Sequence, residues 1–183
     1  MICQTLRALG EGSHTAIDPF QNDAKAWGSQ GVKNLEQAGL ADRFELLEDF
    51  DYAALPRLHG QNRRFDFILI DGWHSFDYTL LNLFYADLLL RVGGVLMVHD
   101  TGWPAVYKAC RFLETHKPYD RLSPPLAVAI PSFVGRVKRR VGEVLRGPRS
   151  YRNAVQRRTA WFSLAAYRKR AEQQVGDDFF ASF

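Results

Sequence analysis

The chain has 183 residues, of which 46% are hydrophobic and 24% are charged. This composition is typical of a globular domain and excludes a wholly disordered, collagen-like or coiled-coil protein. No apolar run reaches the roughly 18 residues that a membrane-spanning helix needs. The first twelve residues have neither a basic segment nor a long apolar one, so we expect no secretion signal.

The charge is unevenly distributed along the chain. Residues 1–122 contain 12 Lys and Arg against 16 Asp and Glu, whereas residues 123–183 contain 12 against 4. The two cysteines, Cys3 and Cys110, have neither zinc-site nor disulfide-framework spacing. We therefore expect reduced thiols, a cytoplasmic location and a basic C-terminal extension on an acidic body.

The hydrophobic pattern predicts alternating helices and strands over the body of the chain. The segment FDFILID is typical of a parallel strand that is covered on both faces, because four apolar residues follow one another in it. In chain order we predict a helix at 2–9 ending at Gly10, a strand at 14–18, a helix at 22–39, a strand at 44–48, a helix at 52–58, a strand at 65–71, a helix at 75–91, a strand at 93–100 and a helix at 103–116.

This alternation predicts an α/β fold: a doubly wound, mostly parallel, Rossmann-like sheet with helices on both faces. In such a sheet the carboxyl ends of the strands lie along one edge, where ligands bind. Acidic residues stand just past the apolar run of each of these four body strands. They are Asp18, Glu48 and Asp49, Asp71, and Asp100.

The basic C-terminal part has a different pattern. Residues 126–130 favour a strand, and 132–147 favour an amphipathic helix with valines on one side and arginines on the other. Residues 161–169 fit a strand or a helix, and we favour the strand. We predict a body at 1–130, a basic helical insertion or extension at 131–160, and a strand and tail at 161–183 that pack back on the body.

Asp18 follows the first predicted strand. A carboxylate in this place can accept hydrogen bonds from both ribose hydroxyls of an adenosine-containing cofactor. It can equally cap the structure that begins after Pro19. The residue alone does not decide between these roles.

His74 closes the segment Asp71-Gly72-Trp73-His74, directly after the 65–71 strand. An imidazole at this edge can take a proton at neutral pH. The alternative is a surface histidine that caps the helix beginning near Ser75.

His99 and Asp100 end the next predicted strand. Together with Asp71 they offer two carboxylates and an imidazole at neighbouring strand ends, and hard divalent ions prefer oxygen ligands. The alternative for Asp100 is a cap on the helix entered at Trp103.

The segments FDFILIDGWHSFDYTLL and GGVLMVHD, taken together, resemble class I S-adenosylmethionine-dependent methyltransferases. The resemblance is to the branch that includes metal-dependent sugar and macrolide O-methyltransferases and cephalosporin-hydroxylase-like proteins. It covers about residues 2–116. The residues that carry it are Asp71, Gly72, His74, Asp87, Gly93, Gly94, His99 and Asp100.

The resemblance implies a role for each matching residue. His74 would be the general base, and Asp18, with Asp49, Asp71 and Trp73, would bind S-adenosylmethionine. Asp71, His99 and Asp100 would hold Mg²⁺ or another divalent cation. His99 departs from the acidic residue that is commoner there, so Asp71 and Asp100 alone are a second ligand set.

A further departure concerns the family's first strand and glycine-rich loop, which should precede the helix at 2–9. They have no counterpart in this sequence. We therefore expect an N-terminally truncated reading frame, in which two inner strands have unpaired edges.

The resulting hypothesis is an O-methyltransferase that acts on a hydroxyl of a small molecule or sugar. The alternative is a non-catalytic methyltransferase-like binding domain. A nucleic-acid methyltransferase is disfavoured because the body is acidic. The basic tail permits peripheral contact with a membrane, and a second copy of the chain would be one way to cover the open edges.

Overall fold

The computed structural model describes residues 1–123, 137, 141, 164–173 and 179–183. These residues form two compact units, Met1–Gln61 and Asn62–Phe183. The predicted strand at 126–130 and most of the predicted helix at 132–147 lie outside the described residues. Within the described part, no helix is both long and apolar enough to span a membrane.

The first unit contains a small parallel sheet with short helices. Its two strands pair in parallel from His14 opposite Phe44 to Ile17 opposite Leu47. Gly10 ends the first helix in a left-handed conformation, and its N–H bonds to the carbonyl of Arg7. The elements are α1 (Ile2–Leu9), β1 (His14–Ile17), α2 (Gln30–Gln37), a 3₁₀ turn (Ala41–Arg43), β2 (Phe44–Leu47) and α3 (Asp51–Gly60).

The predicted helix at 22–39 is wrong in its first half, because α2 covers only Gln30–Gln37. Gly28 and Ser29 both have positive φ angles, which a right-handed helix does not tolerate. Before them, the carboxylate of Asp23 accepts a hydrogen bond from the backbone N–H of Lys25, a local turn that competes with helix formation.

The second unit contains a four-stranded sheet in the order β3-β4-β6-β5. β3 and β4 are parallel, while β6 is antiparallel to both β4 and β5. The predicted α/β fold with mainly parallel body strands is confirmed. The elements are β3 (Phe65–Ile70), α4 (Phe76–Leu89), β4 (Leu90–His99), α5 (Pro104–His116), β5 (Tyr119–Arg121) and β6 (Leu164–Lys169).

The hydrophobic core of the second unit lies where α4 and α5 meet the sheet. Ile68 and Ile70 pack against it from β3. Burial raises the pKa of the Cys110 thiol to about 12, which keeps the thiol protonated at neutral pH. The buried core residues are Leu83, Ala86, Leu90, Leu96, Val98, Val106, Ala109, Cys110, Leu113, Tyr119, Ala165 and Tyr167.

The prediction that β3 is buried on both faces is wrong. Phe67 and Leu69 are 44% and 47% exposed, whereas Ile68 and Ile70 point to the core. In the described part of the chain β3 pairs only with β4 and is an edge strand of its sheet. Its continuous apolar run therefore places hydrophobic side chains on an uncovered face.

β4 begins earlier than predicted, at Leu90 rather than residue 93. Gly93 and Gly94 therefore lie inside the strand, and the pairing with β3 shifts between Phe65 and Phe67. A Cβ atom at Gly94 would lie 2.8 Å from the carbonyl oxygen of Arg91. Position 94 therefore needs glycine for a close backbone approach.

The strand favoured at 161–169 is confirmed over Leu164–Lys169, and residues 161–163 lie outside the described part. β6 inserts between β4 and β5. The short strand β5 was not predicted, because three residues give too little pattern.

A buried polar network connects β6 to α4. Lys169 is 1% exposed, and its Nζ donates to the backbone carbonyls of Asp87 and Leu90, 2.6 and 3.1 Å away. The Asp87 carboxylate accepts hydrogen bonds from Lys117 at 2.7 Å and from the Tyr119 hydroxyl at 3.0 Å. Burial and this nearby carboxylate raise the pKa of Tyr119 above its usual range. The network thus joins β6 to α4 at the end of the sheet where β4 begins.

Replacing Asp87 should strongly destabilise the chain. The variant Asp87→Ala removes the carboxylate between two ammonium groups, and we expect the free energy of unfolding to fall by about 3 kcal/mol. Urea denaturation measures this. Asp120→Ala, which removes an exposed pair with Arg170, is the control and should cost less than about 1 kcal/mol. Equal losses in the two variants would contradict the structural role of the network.

Candidate active site

The turn after β3 carries two of the predicted site residues, Asp71 and His74. Thr79, near the start of α4, contacts the backbone of this loop. Its hydroxyl donates to the carbonyl oxygen of Ser75 at 2.7 Å and lies 3.5 Å from the carbonyl oxygen of Trp73. The Trp73 side chain is 67% exposed. Trp73 therefore stands at the surface of the turn, where it can contact a bound molecule.

Asp100 follows β4 in a strained backbone conformation. Its φ angle is +54°, in the left-handed region that side chains with a Cβ rarely adopt. Its carbonyl accepts a hydrogen bond from the N–H of Trp103 at 2.9 Å, which starts α5. The left-handed backbone of Asp100 thus changes the direction of the chain between β4 and α5.

Pairing in register brings the two strand ends together. Ile70 lies opposite Val98 in the parallel β3–β4 pair, so the residues that follow each strand are neighbours. The Nδ1 atom of His99 lies 3.0 Å from Oδ1 of Asp71, and Nε2 of His74 lies 2.7 Å from Oδ2 of Asp100. The four side chains form two crossed Asp–His pairs.

The two pairs are close enough to form one cluster. Asp71, His74 and Asp100 each offer one ligand atom, and these three atoms lie within 4.8 Å of one another. Nδ1 of His99 is also 3.6 Å from Oδ2 of Asp100. The sequence predicted Asp71, His99 and Asp100 as the ligand set; the group of ligand atoms this close to one another contains His74 in place of His99.

Trp103 holds the plane of the His74 ring. The two rings are stacked with centroids 5.4 Å apart and planes 10° from parallel. Stacking on one face and the bond to Asp100 at the edge together restrict the imidazole. Sequence reasoning treated Trp103 only as the entrance to α5, although an aromatic residue three positions after a site carboxylate was a usable signal.

Asn82 is a buried polar residue next to this turn that the sequence did not single out. It is 6% exposed and lies on α4 beneath the turn, where its Nδ2 would be 3.5 Å from a Cβ atom at Gly72. Within the described residues its Oδ1 has no hydrogen-bond partner. A buried acceptor without a partner costs about 1–3 kcal/mol. The lone amide in an apolar helix was the signal for this position.

The predicted cofactor residues Asp18 and Asp49 lie in the first unit, after β1 and β2. Oδ1 of Asp18 accepts a hydrogen bond from the N–H of Phe20 at 2.8 Å. Asp49 accepts from the N–H of Phe50 at 2.9 Å and from Arg57 at 3.1 Å. Since Arg57 already neutralises Asp49, Asp18 is the better suited of the two to accept hydrogen bonds from a ligand.

Three aromatic side chains form an exposed cluster beside these acids. Phe50 stacks on Tyr52 with ring centroids 5.2 Å apart, and Phe20 meets Phe50 edge to face at 5.9 Å. All three are more than 40% exposed. Partly exposed aromatic side chains next to a carboxylate are suited to a flat heterocycle that carries hydroxyl groups.

The comparisons with known proteins agree with the fold. Residues 1–101 match the model of a family described as a methyltransferase domain. The chain belongs to this family. The predicted resemblance to class I methyltransferases is therefore confirmed, and the predicted enzyme class is confirmed at the level of the family.

Solved structures of methyltransferases share the architecture of this domain. A methyltransferase homolog protein from Pyrococcus horikoshii matches with a TM-score of 0.52 and 16% identity, over 87% of this chain and 54% of that one. The methyltransferase domain thus spans about half the length of that protein. No curated protein sequence is significantly similar to the chain.

Two further solved structures are similar at lower scores. The cofactor-bound protein Rv0187 from MTB matches with a TM-score of 0.46 and 20% identity, over 66% of this chain and 68% of that one. An O-methyltransferase from Bacillus cereus in complex with SAH matches with a TM-score of 0.48 and 15% identity, over 66% and 70%.

The strain at Asp100 leads to a stability prediction for the methyltransferase domain. Left-handed backbone costs about 1–2 kcal/mol for a residue with a Cβ, whereas the half-exposed pair with His74 contributes about 0–1 kcal/mol. We therefore expect Asp100→Gly to be at least as stable as the wild type in urea denaturation with chelator present, and Asp100→Ala to be less stable than Asp100→Gly by about 1 kcal/mol. A marked loss of stability in Asp100→Gly would show that the ion pair outweighs the strain.

Proposed function

We propose that this chain transfers a methyl group from S-adenosylmethionine to a hydroxyl oxygen of a small molecule or sugar. The observation that carries the proposal is the pair of crossed Asp–His contacts at the ends of β3 and β4. They place a base and two carboxylates within 4.8 Å of one another. Such a group can deprotonate a hydroxyl and hold the resulting oxygen in place.

The residues of the first unit fit the cofactor. The Asp18 carboxylate suits the two ribose hydroxyls, and the exposed faces of Phe20, Phe50 and Tyr52 suit the adenine ring. Asp71 and Trp73 remain predicted cofactor contacts in the second unit. When bound, S-adenosylmethionine supplies a sulfonium-bound methyl group that a hydroxyl oxygen attacks as the carbon–sulfur bond breaks.

His74 serves as the general base in this proposal. Its Nε2–H donates to Asp100, 2.7 Å away, which leaves Nδ1 to accept the proton of the acceptor hydroxyl. Asp100 stabilises the imidazolium that forms, and Trp103 holds the ring plane. The proton then passes from His74 to solvent after the methyl ether has formed.

The same cluster fits a divalent cation. Each of the two carboxylates uses one oxygen for a histidine and offers the other, and the set lies within the span that one ion bridges. Asp71 and Asp100 would hold Mg²⁺ or Mn²⁺, which lowers the pKa of a coordinated hydroxyl. The ion and His74 would then act on the same oxygen.

The base assignment predicts a specific kinetic defect. With methyl-labelled S-adenosylmethionine and a panel of monosaccharides and nucleotide sugars, we expect wild-type transfer to a hydroxylated acceptor. His74→Ala should lower kcat by about 10²–10⁴ while the affinity for S-adenosylhomocysteine stays unchanged. Asp66→Ala, which removes an exposed pair with Arg91, is the control and should leave both unchanged. Wild-type turnover in His74→Ala would remove His74 as the base.

The ion assignment makes an independent prediction. If Mg²⁺ or Mn²⁺ raises the wild-type rate, Asp71→Ala and Asp100→Ala should each abolish that increase, because one carboxylate alone binds a hard cation weakly. The rate is measured with excess chelator and then with added ion. An increase that persists in both variants would place the ion elsewhere.

A further inference from the structure

We propose that His99 is a positioning residue, which orients Asp71 toward the ion and does not itself coordinate it. This inference rests on the ion site proposed above. It replaces the role predicted from the resemblance, in which His99 was one of three ligands.

The orientation of the His99 ring is the first argument. Nδ1 faces the carboxylates of Asp71 and Asp100 at 3.0 and 3.6 Å. The shorter distance is that of a hydrogen bond from N–H to carboxylate oxygen. An Nδ1 atom that donates a hydrogen has no lone pair left for a cation.

The second argument is the symmetry of the two pairs. His74 bonds to Asp100 as His99 bonds to Asp71, so each carboxylate has one oxygen held by a ring N–H. Partners of this kind fix the direction of a ligand oxygen, and their loss typically weakens metal binding 10–100-fold. The hydrogen bond from His99 thereby fixes the direction of the Asp71 carboxylate.

The third argument concerns what would otherwise hold Asp71. The Asp71 side chain is more than half exposed, at 56%, and it follows an edge strand. An exposed carboxylate samples several rotamers in water, which costs affinity on binding. The bond to His99 selects one of them.

Substitution by amides distinguishes positioning from ligation. In asparagine the side-chain NH₂ lies near the place of histidine Nδ1, whereas in glutamine the amide lies near the place of Nε2. If His99 positions Asp71 through Nδ1, His99→Asn should keep the wild-type affinity for Mn²⁺. His99→Gln and His99→Leu should then weaken it about 10–100-fold.

The experiment is a titration of the whole chain with Mn²⁺, in which electron paramagnetic resonance counts the free ion. Pulsed electron paramagnetic resonance also detects nitrogen atoms that are bound to Mn²⁺. This nitrogen signal should be the same in wild type and His99→Asn. Near-wild-type affinity in His99→Gln with loss in His99→Asn would overturn the inference in favour of ligation through Nε2. Equal affinity in all three variants would overturn it as well.

The outcome also separates this inference from the proposed function. A wild-type chain that binds no Mn²⁺ would overturn the ion site and the role of His99 together. Methyl transfer with His74 as base would remain open to its own kinetic test. Wild-type binding with the wrong order of variants would overturn only the role of His99.

Discussion

The register of the parallel β3–β4 pair is the constraint on which the site depends. With Ile70 opposite Val98, the chain leaves both strands at nearly the same level. Asp71 therefore meets His99, and Asp100 meets His74, although each pair is separated by more than 25 residues in sequence. A slip of one residue would turn every side chain of β3 to the opposite face and separate the pairs.

Two features at this site are unfavourable for stability. Asp100 has a left-handed backbone, and Asn82 buries an acceptor that has no partner in the described part of the chain. The backbone strain costs about 1–2 kcal/mol and the unpaired acceptor about 1–3 kcal/mol. Backbone strain and unpaired buried polar groups of this kind are common at functional sites. The far end of the sheet, by contrast, is fixed by Lys169, whose ammonium is fully satisfied by two carbonyls and Glu172.

Much of the fold could be predicted from the sequence, because long apolar runs and helix-length spacing define β3, β4, α4 and α5. The same information failed where several short-range preferences compete. The segment before α2 contains enough helix-forming residues to predict a helix, yet Gly28 and Ser29 adopt positive φ angles. β3 has the composition of a strand that is covered on both faces, yet Phe67 and Leu69 on one of its faces are exposed. Composition shows how hydrophobic a strand is, but it does not show which elements pack against it.

The sequence named the residues of this Asp–His cluster but not their pairing. Asp71, His74, His99 and Asp100 are all evident from their place at or just after the ends of two strands, since parallel strand ends share an edge. Which histidine pairs with which aspartate depends on the orientation of the imidazole rings, and no sequence pattern predicts that orientation. Trp103 and Asn82 were missed for a related reason. Trp103 precedes α5 and Asn82 lies in α4, each with an ordinary structural role, and only the packing brings them to the turn.

The central claim is that this methyltransferase domain binds S-adenosylmethionine with the residues at its strand ends. Calorimetric titration of the 183-residue chain with S-adenosylhomocysteine tests it most directly. The account predicts saturable binding, and a loss of about tenfold or more in Asp18→Asn because a charge-assisted hydrogen bond is removed. A folded chain that takes up no S-adenosylhomocysteine would contradict it.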